Sequence, residues 1–267
     1  MLPKKILYLV IELDPFLQLT SDAFMARNMV EELAGRDLEL RVIGVKFRRI
    51  RERKNRIHEV QRLCGINIPI GSKNVSLVVK VAPIAKTRVQ SYFIDNEDFF
   101  CHKGIFHNDE GVFYPDNHER IPFICKSPPA ILDNLKWGPD LIHCIGWPWS
   151  LASAYLRVAF KNSFLIKNTK IIHTYGASLF KDAFDFERLK RGMMPKITDT
   201  HLAPMNQKGD IGALIALSKA YSDKVFCTFQ ESDTEAHKMF KKFDVPFIPH
   251  DKHMVSAYHK IYKELLQ

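Results

Sequence analysis

The feature that most restricts the fold is the run KKILYLVIEL, residues 4–13, a continuous Leu-rich and β-branched stretch of strand length. A strand with one face in water alternates apolar and polar residues; this run does not, so it belongs inside a parallel sheet, covered on both faces. Thr20, Ser21 and Asp22 then offer helix-capping chemistry, and Met25, Met29, Val30 and Leu33 recur at helical spacing before Gly35. LELRVIGVK follows as a second buried strand, completing a β-α-β unit whose crossover is expected to be right-handed.

After a basic stretch, Ser76 to Val81 and Arg88 to Ile94 read as two strands around the turn-prone PIAKT. Beyond Pro139 the alternation resumes: DLIHC, KIIHTY and KVFCTF are strands, while Ser150 to Lys161, IGALIALSKAYS and DTEAHKMFKKF are helices. The expected fold class is therefore α/β, a doubly wound, mostly parallel, Rossmann-like sheet. Pro128 and Pro129 are expected to break a helix running from Ile121 to Leu135. In the last stretch, Met254, Tyr258, Ile261, Tyr262 and Leu265 share one helical face, so residues 252–267 are expected to dock on a single domain covering 1–267.

Composition narrows the function classes. The apolar run at Ile6 to Leu13 is far shorter than the roughly 20 residues a bilayer requires, so no membrane association is expected. The five cysteines are an odd number at scattered spacing, which fits reduced thiols in a cytoplasmic protein better than a disulfide framework or a zinc site. The formal net charge of +9 owes much to KFRRIRERKNR, residues 46–56. That stretch is either a solvated loop or helix face laced by Glu52, or an anion-binding surface built on Arg48, Arg49, Arg51 and Arg53. Nucleic acid is not the expected partner, since no aromatic ladder accompanies the arginines.

The loop after the first strand reads DPFLQLTSD, which contains neither GxGxxG nor GxxxxGK[ST], and Asp22 would compete for the free amides of the helix that follows. No Ser lies in a GxSxG turn, and no His pair has metal-binding helical spacing, so neither a metal nor a cofactor is expected. In a parallel sheet the loops after Cys144 and Ile172 emerge at the same carboxyl edge, where His143, Trp147, His173 and Tyr175 are expected to converge.

One long ordered stretch resembles a known family. Phe93 to Asn96, Phe99 and Phe100, Gly104 to Phe106, and Tyr114, Asp116, Asn117 and Arg120 match in order the Phe-Ile-Asp, aromatic, Gly-Ile-Tyr and Tyr-x-Asp-Asn-x-x-Arg motifs of the ADP-glucose-dependent glycogen and starch synthases. GPDLIHCIGWPWSLASAYLR, KIIHTYG and DIGALIALSKAYSDKVFCTF are similar to later segments of the same family, so the resemblance spans about residues 4–245. It implies the N-terminal half of a GT-B glycosyltransferase, the half that holds the acceptor glucan. The second half, which holds most of the ADP-glucose, has no counterpart before the final helix.

The retained half also departs from the pattern. Where the family carries Lys-Thr-Gly-Gly-Leu, this chain has Gln18, Leu19, Thr20, Ser21 and Asp22, and His-Asp-Trp-His becomes Ile145, Gly146, Trp147 and Pro148. The resemblance therefore implies a degenerate glycosyltransferase domain without assigned catalytic residues, not active alone. Its sugar-facing residues would be Glu12, Tyr114, Asp116, Asn117, His143, Trp147, His173 and Tyr175. Three roles follow: an α-glucan-binding regulatory or assembly subunit, working with a partner protein or as a homo-oligomer; a glucosyltransferase half completed by a chain that binds ADP-glucose; or an anion-binding protein using residues 46–56.

Overall fold

In the computed structural model, which describes residues 3–193 and 195–267, the strands form one ten-stranded sheet. They are β1 (Lys4–Leu9), β2 (Leu38–Val45), β3 (His58–Glu59), β4 (Ile66–Ile70), β5 (Lys73–Pro83), β6 (Gln90–Asp95), β7 (Leu141–Ile145), β8 (Lys170–Tyr175), β9 (Lys224–Phe229) and β10 (Phe247–Pro249). The order is β10-β9-β8-β7-β1-β2-β6-β5-β3, with β4 paired to β5. Pairing is parallel from β10 to β6 and antiparallel beyond it. From β1 the chain builds outward through β2 to β6, then returns to lay β7 on the other side of β1. That reversal opens a crevice at the carboxyl ends of β1 and β7.

The helices are α1 (Asp22–Leu33), α2 (Glu52–Asn55), α3 (Glu97–Phe100), α4 (Asn117–Leu135), α5 (Ala152–Ala154), α6 (Phe186–Met193), α7 (Asp199–Leu202), α8 (Ile211–Tyr221), α9 (Thr234–Lys241) and α10 (Met254–Leu265). None of them, among the described residues, is long and apolar enough to cross a membrane. The central strands behave as their composition dictates: Ile6 to Leu9 and Leu141 to Cys144 are fully buried, because helices cover both faces.

Helix α10 docks through Met254, Val255, Tyr258 and Tyr262, all buried. Its tyrosines join a hydrogen-bonded chain beneath it: Tyr262 Oη lies 2.6 Å from His143 Nδ1, His143 Nε2 lies 2.7 Å from Thr174 Oγ1, and Tyr258 Oη meets Thr174 and Thr228 at 2.9 and 2.6 Å. Tyr262→Phe would strand His143 Nδ1 in the interior, and an unsatisfied buried polar atom costs about 1–3 kcal/mol. Urea denaturation should show that loss; a midpoint equal to wild type would mean the chain of hydroxyls is not what fastens the helix.

Three local expectations are corrected. Helix α4 runs unbroken through Pro122, Pro128 and Pro129. Proline removes a helical donor, yet Ile121, Phe123, Ile124, Ile131 and Leu132 are all within 1% of complete burial, so packing outweighs the intrinsic penalty. Ser127 Oγ also donates to the Phe123 carbonyl at 2.7 Å. The segment after β7 is not one regular helix but a 3-10 turn, α5 and a π-turn at Tyr155–Ala159. At the start of α1 the N-cap residue Ser21 makes no side-chain capping bond; Thr20 Oγ1 accepts from the Asp22 amide at 3.2 Å, and the Asp22 carboxylate is turned to the Ala177 and Ser178 amides.

Candidate functional site

The loops that leave the carboxyl ends of β1, β2, β6, β7, β8 and β9 surround one open cavity of about 600 Å³. Each contributes: Glu12, Leu19 and Thr20 after β1, Arg49 after β2, Lys103 to Asp109 after β6, Trp147 after β7, Ala177 to Lys181 after β8, and Asp233 with Glu235 after β9. A strand has only one side chain at its carboxyl end, so a site assembled this way draws on residues remote in sequence.

The wall at Gly104 to Phe106 is held from behind. Asn117 Nδ2 donates to the Phe106 carbonyl at 2.8 Å, Arg120 Nη2 donates to the Ile105 carbonyl at 2.8 Å, and Arg120 Nη1 donates to Asn117 Oδ1 at 2.7 Å. The Gly104 amide is 3.3 Å from the Tyr114 hydroxyl. Gly104 is required there, since a Cβ would lie 1.8 Å from the His107 carbonyl. Asp116 faces His102, whose Nε2 is 2.7 Å from its Oδ2, while the His102 ring stacks on Tyr114 at 4.1 Å. Tyr114, Asp116 and Asn117 thus lie behind the cavity wall rather than on its surface. Burial pulls the Arg120 guanidinium down to about 10, against the opposing pull of Asp116.

The opposite wall turns on two acids. Glu12 accepts from the Leu19 and Thr20 amides, both at 2.7 Å, and from Thr20 Oγ1 at 3.1 Å, which folds the loop back on itself. Asp22, 6% exposed, reaches across to the loop after β8 and accepts from the Ala177 and Ser178 amides at 2.7 and 3.3 Å. Burial raises its pKa to about 7; the two amides oppose that rise, and the Glu12 charge adds to it. Gly176 makes the approach achievable, since a Cβ there would sit 2.1 Å from Asp22 Oδ1.

The expected convergence of His143, Trp147, His173 and Tyr175 does not occur. In β7 and β8 the register partners are His143 with Ile172 and Cys144 with His173, so the two histidines project from opposite faces of the sheet. His143 lies under α10, and His173 lies on the other side, its ring 4.4 Å from that of Tyr175. Tyr175 Oη is bound to Ser150 and Ser218 at 3.0 and 2.9 Å. All three are at most 1% exposed, and burial lowers both histidines to about 3, holding them neutral. Of the four, Trp147 alone lines the cavity, packed on Phe180 at 4.3 Å.

Within the basic stretch, Glu52 pairs with Lys46 and, among the described residues, with none of the arginines. That carboxylate turns inward to Lys80 at 2.7 Å and Lys46 at 3.2 Å, which lower its pKa, while Arg48, Arg49, Arg51 and Arg53 stay exposed. Arg49 reaches the cavity. The sequence reading missed Lys103, Phe180, Lys181, Asp233 and Glu235 as lining residues. Position just past a strand end was the one signal available for the last four.

The open, mostly parallel α/β sheet, with its crevice at the strand-order reversal, has the fold of one lobe of the GT-B architecture. The family model for the starch synthase catalytic domain matches residues 5–239, and the chain belongs to that family. Among curated relatives, the glycogen synthase of Chlorobaculum parvum is 28% identical over 84% of this chain and 45% of its own length. That of Chlorobaculum tepidum is 27% identical over 91% of this chain and 49% of its own. The catalytic domain of starch synthase IV from Arabidopsis thaliana, solved with ADP and acarbose, superposes with a TM-score of 0.68 at 13% identity, over 92% of this chain and 51% of that one. The chain spans about half the length of the relatives it matches.

Proposed function

We propose that this chain holds an α-glucan in the carboxyl-edge cavity and does not transfer glucose by itself, serving as a glucan-binding regulatory or assembly subunit. The observation that carries this reading is the Asp22 carboxylate on the Ala177 and Ser178 amides. Transfer from a sugar nucleotide needs donors aimed at the departing diphosphate, and such preorganised electrostatics is usually the largest catalytic contribution. Here a carboxylate already consumes the amides that could serve, and Pro148 stands where the family has a histidine. The acceptor side is better preserved: the Gly104 to Phe106 wall, Glu12 and Trp147 all border the cavity. An oligosaccharide ligand accords with the acarbose in the Arabidopsis structure.

Affinity electrophoresis through glycogen or maltoheptaose, run beside incorporation of radiolabelled glucose from ADP-glucose, tests both halves of the reading. Retardation without incorporation is expected. Migration unaffected by either glucan removes the binding claim, and incorporation by the chain alone removes the claim of inactivity. A second reading, completion by a nucleotide-binding partner chain, is favoured by the exposure of Leu19 (46%) at the cavity and Phe24 (48%) in the first turn of α1. Incorporation that appears only with a partner present would select it.

A further inference from the structure

We infer that the glucan this cavity holds carries a phosphate monoester, and that the Arg48–Arg49 turn receives the phosphate; the inference deepens the glucan reading and rests on it. The turn follows β2 at the same sheet edge as the other lining loops and is fixed to the cavity wall. Phe47 is buried against Phe100 and Phe106, at centroid distances of 5.5 and 5.8 Å. The Arg48 amide donates to the Phe100 carbonyl at 3.1 Å, and its Nη1 donates to the Cys101 carbonyl at 3.3 Å.

Charge balance then singles out this turn. Of the other cations on the cavity, Lys103 is paired with Asp109, and Lys181 with Glu235 at 2.7 Å. Glu52, the only carboxylate in the basic stretch, is spent on Lys46 and Lys80. Among the described residues no carboxylate pairs with Arg49, which therefore faces the cavity without a counter-charge, with Arg48 beside it. A guanidinium presents a fork that matches two phosphate oxygens, and a monoester is close to dianionic at neutral pH. The other end of the crevice repels anions, because Asp22 occupies the free amides there and Glu12 lies next to it. A ligand with a neutral sugar body and one anionic end fits that polarity. A nucleic-acid strand fits it less well, since the cavity aromatics Trp147 and Phe180 are 3% and 2% exposed and stacked on each other instead of being open to bases.

The test is calorimetric titration of the whole chain at low and moderate salt with four probes: maltotetraose, maltotetraose bearing one phosphate monoester, inorganic phosphate, and a single-stranded oligonucleotide. Wild type is compared with the double variant Arg48→Gln/Arg49→Gln and with Arg62→Gln, an exposed arginine away from the cavity. The phosphorylated glucan should bind about tenfold or more tightly than the neutral one, from one or two charge-assisted hydrogen bonds. That advantage should shrink as salt rises, vanish in the double variant and survive in Arg62→Gln. Equal affinity for the two glucans, an advantage that persists in the double variant, or equally tight binding of phosphate or the oligonucleotide would overturn it. Neutral glucan binding without a phosphate advantage defeats this inference alone, whereas failure of both glucans defeats the glucan reading beneath it. Unchanged thermal midpoints for the exposed-arginine variants exclude unfolding as the cause.

Discussion

Replacing Arg120 by alanine is expected to lower the unfolding free energy by about 3–5 kcal/mol and to remove glucan retardation with it. The guanidinium is fully buried, bonded to Asn117 Oδ1 and the Ile105 carbonyl, and lies over the rings of Phe100, Phe106 and Tyr114 at 5.6, 5.9 and 5.7 Å. Even lowered to about 10 it stays charged at neutral pH, so its donors and its contact with the three rings persist under ordinary conditions. Alanine leaves a cavity and two acceptors without donors, one of them the backbone of the cavity wall. Arg120→Met, which restores most of the volume but no donor, should recover part of the stability and little of the binding. Denaturant titration and affinity electrophoresis on the same preparations separate the two effects. An alanine variant within 1 kcal/mol of wild type would show that the wall does not depend on this residue. So would a destabilised variant that still binds glucan.

Arg120 also illustrates what a linear reading can and cannot reach. The motif Tyr-x-Asp-Asn-x-x-Arg was visible in the sequence, but its place behind the wall was not, because it rests on bonds to backbone carbonyls 11 and 15 residues away. The strands KIIHTY and KVFCTF coincide with β8 and β9, since an uninterrupted apolar and β-branched run has few alternatives to a buried parallel strand. Strand β4 went unread because INIPI contains a proline, a residue confined in sheets to edges like this one. The two histidines were expected together because both close strands at the same edge. Which face each takes depends on register between strands, and register is set by pairing that no single segment encodes. The reach of Asp22 to Ala177, 155 residues on, was equally hidden, so a residue with capping chemistry became instead a bolt between two loops.

That bolt makes the protein pH-sensitive in a direction opposite to most carboxylates. Asp22 in the folded chain titrates at about 7, raised chiefly by burial, whereas an unfolded aspartate titrates at about 4. The folded state therefore holds the proton more tightly than the unfolded state between those values. The stability this lends is complete below about pH 4 and is lost as pH rises through about 7. Asp22→Asn keeps an oxygen able to accept from the Ala177 amide and cannot ionise, but turns an NH2 group toward Ser178. Above pH 7 the removal of a buried, Glu12-facing charge should outweigh that one poor contact, leaving the variant about 1–3 kcal/mol more stable than wild type. Near pH 4, where the native aspartate is itself neutral, the order should reverse or close. Thermal midpoints of both proteins measured from pH 4 to pH 8.5 give the difference curve directly, and a difference that stays flat across that range would show that Asp22 ionises in the folded chain as it does in water.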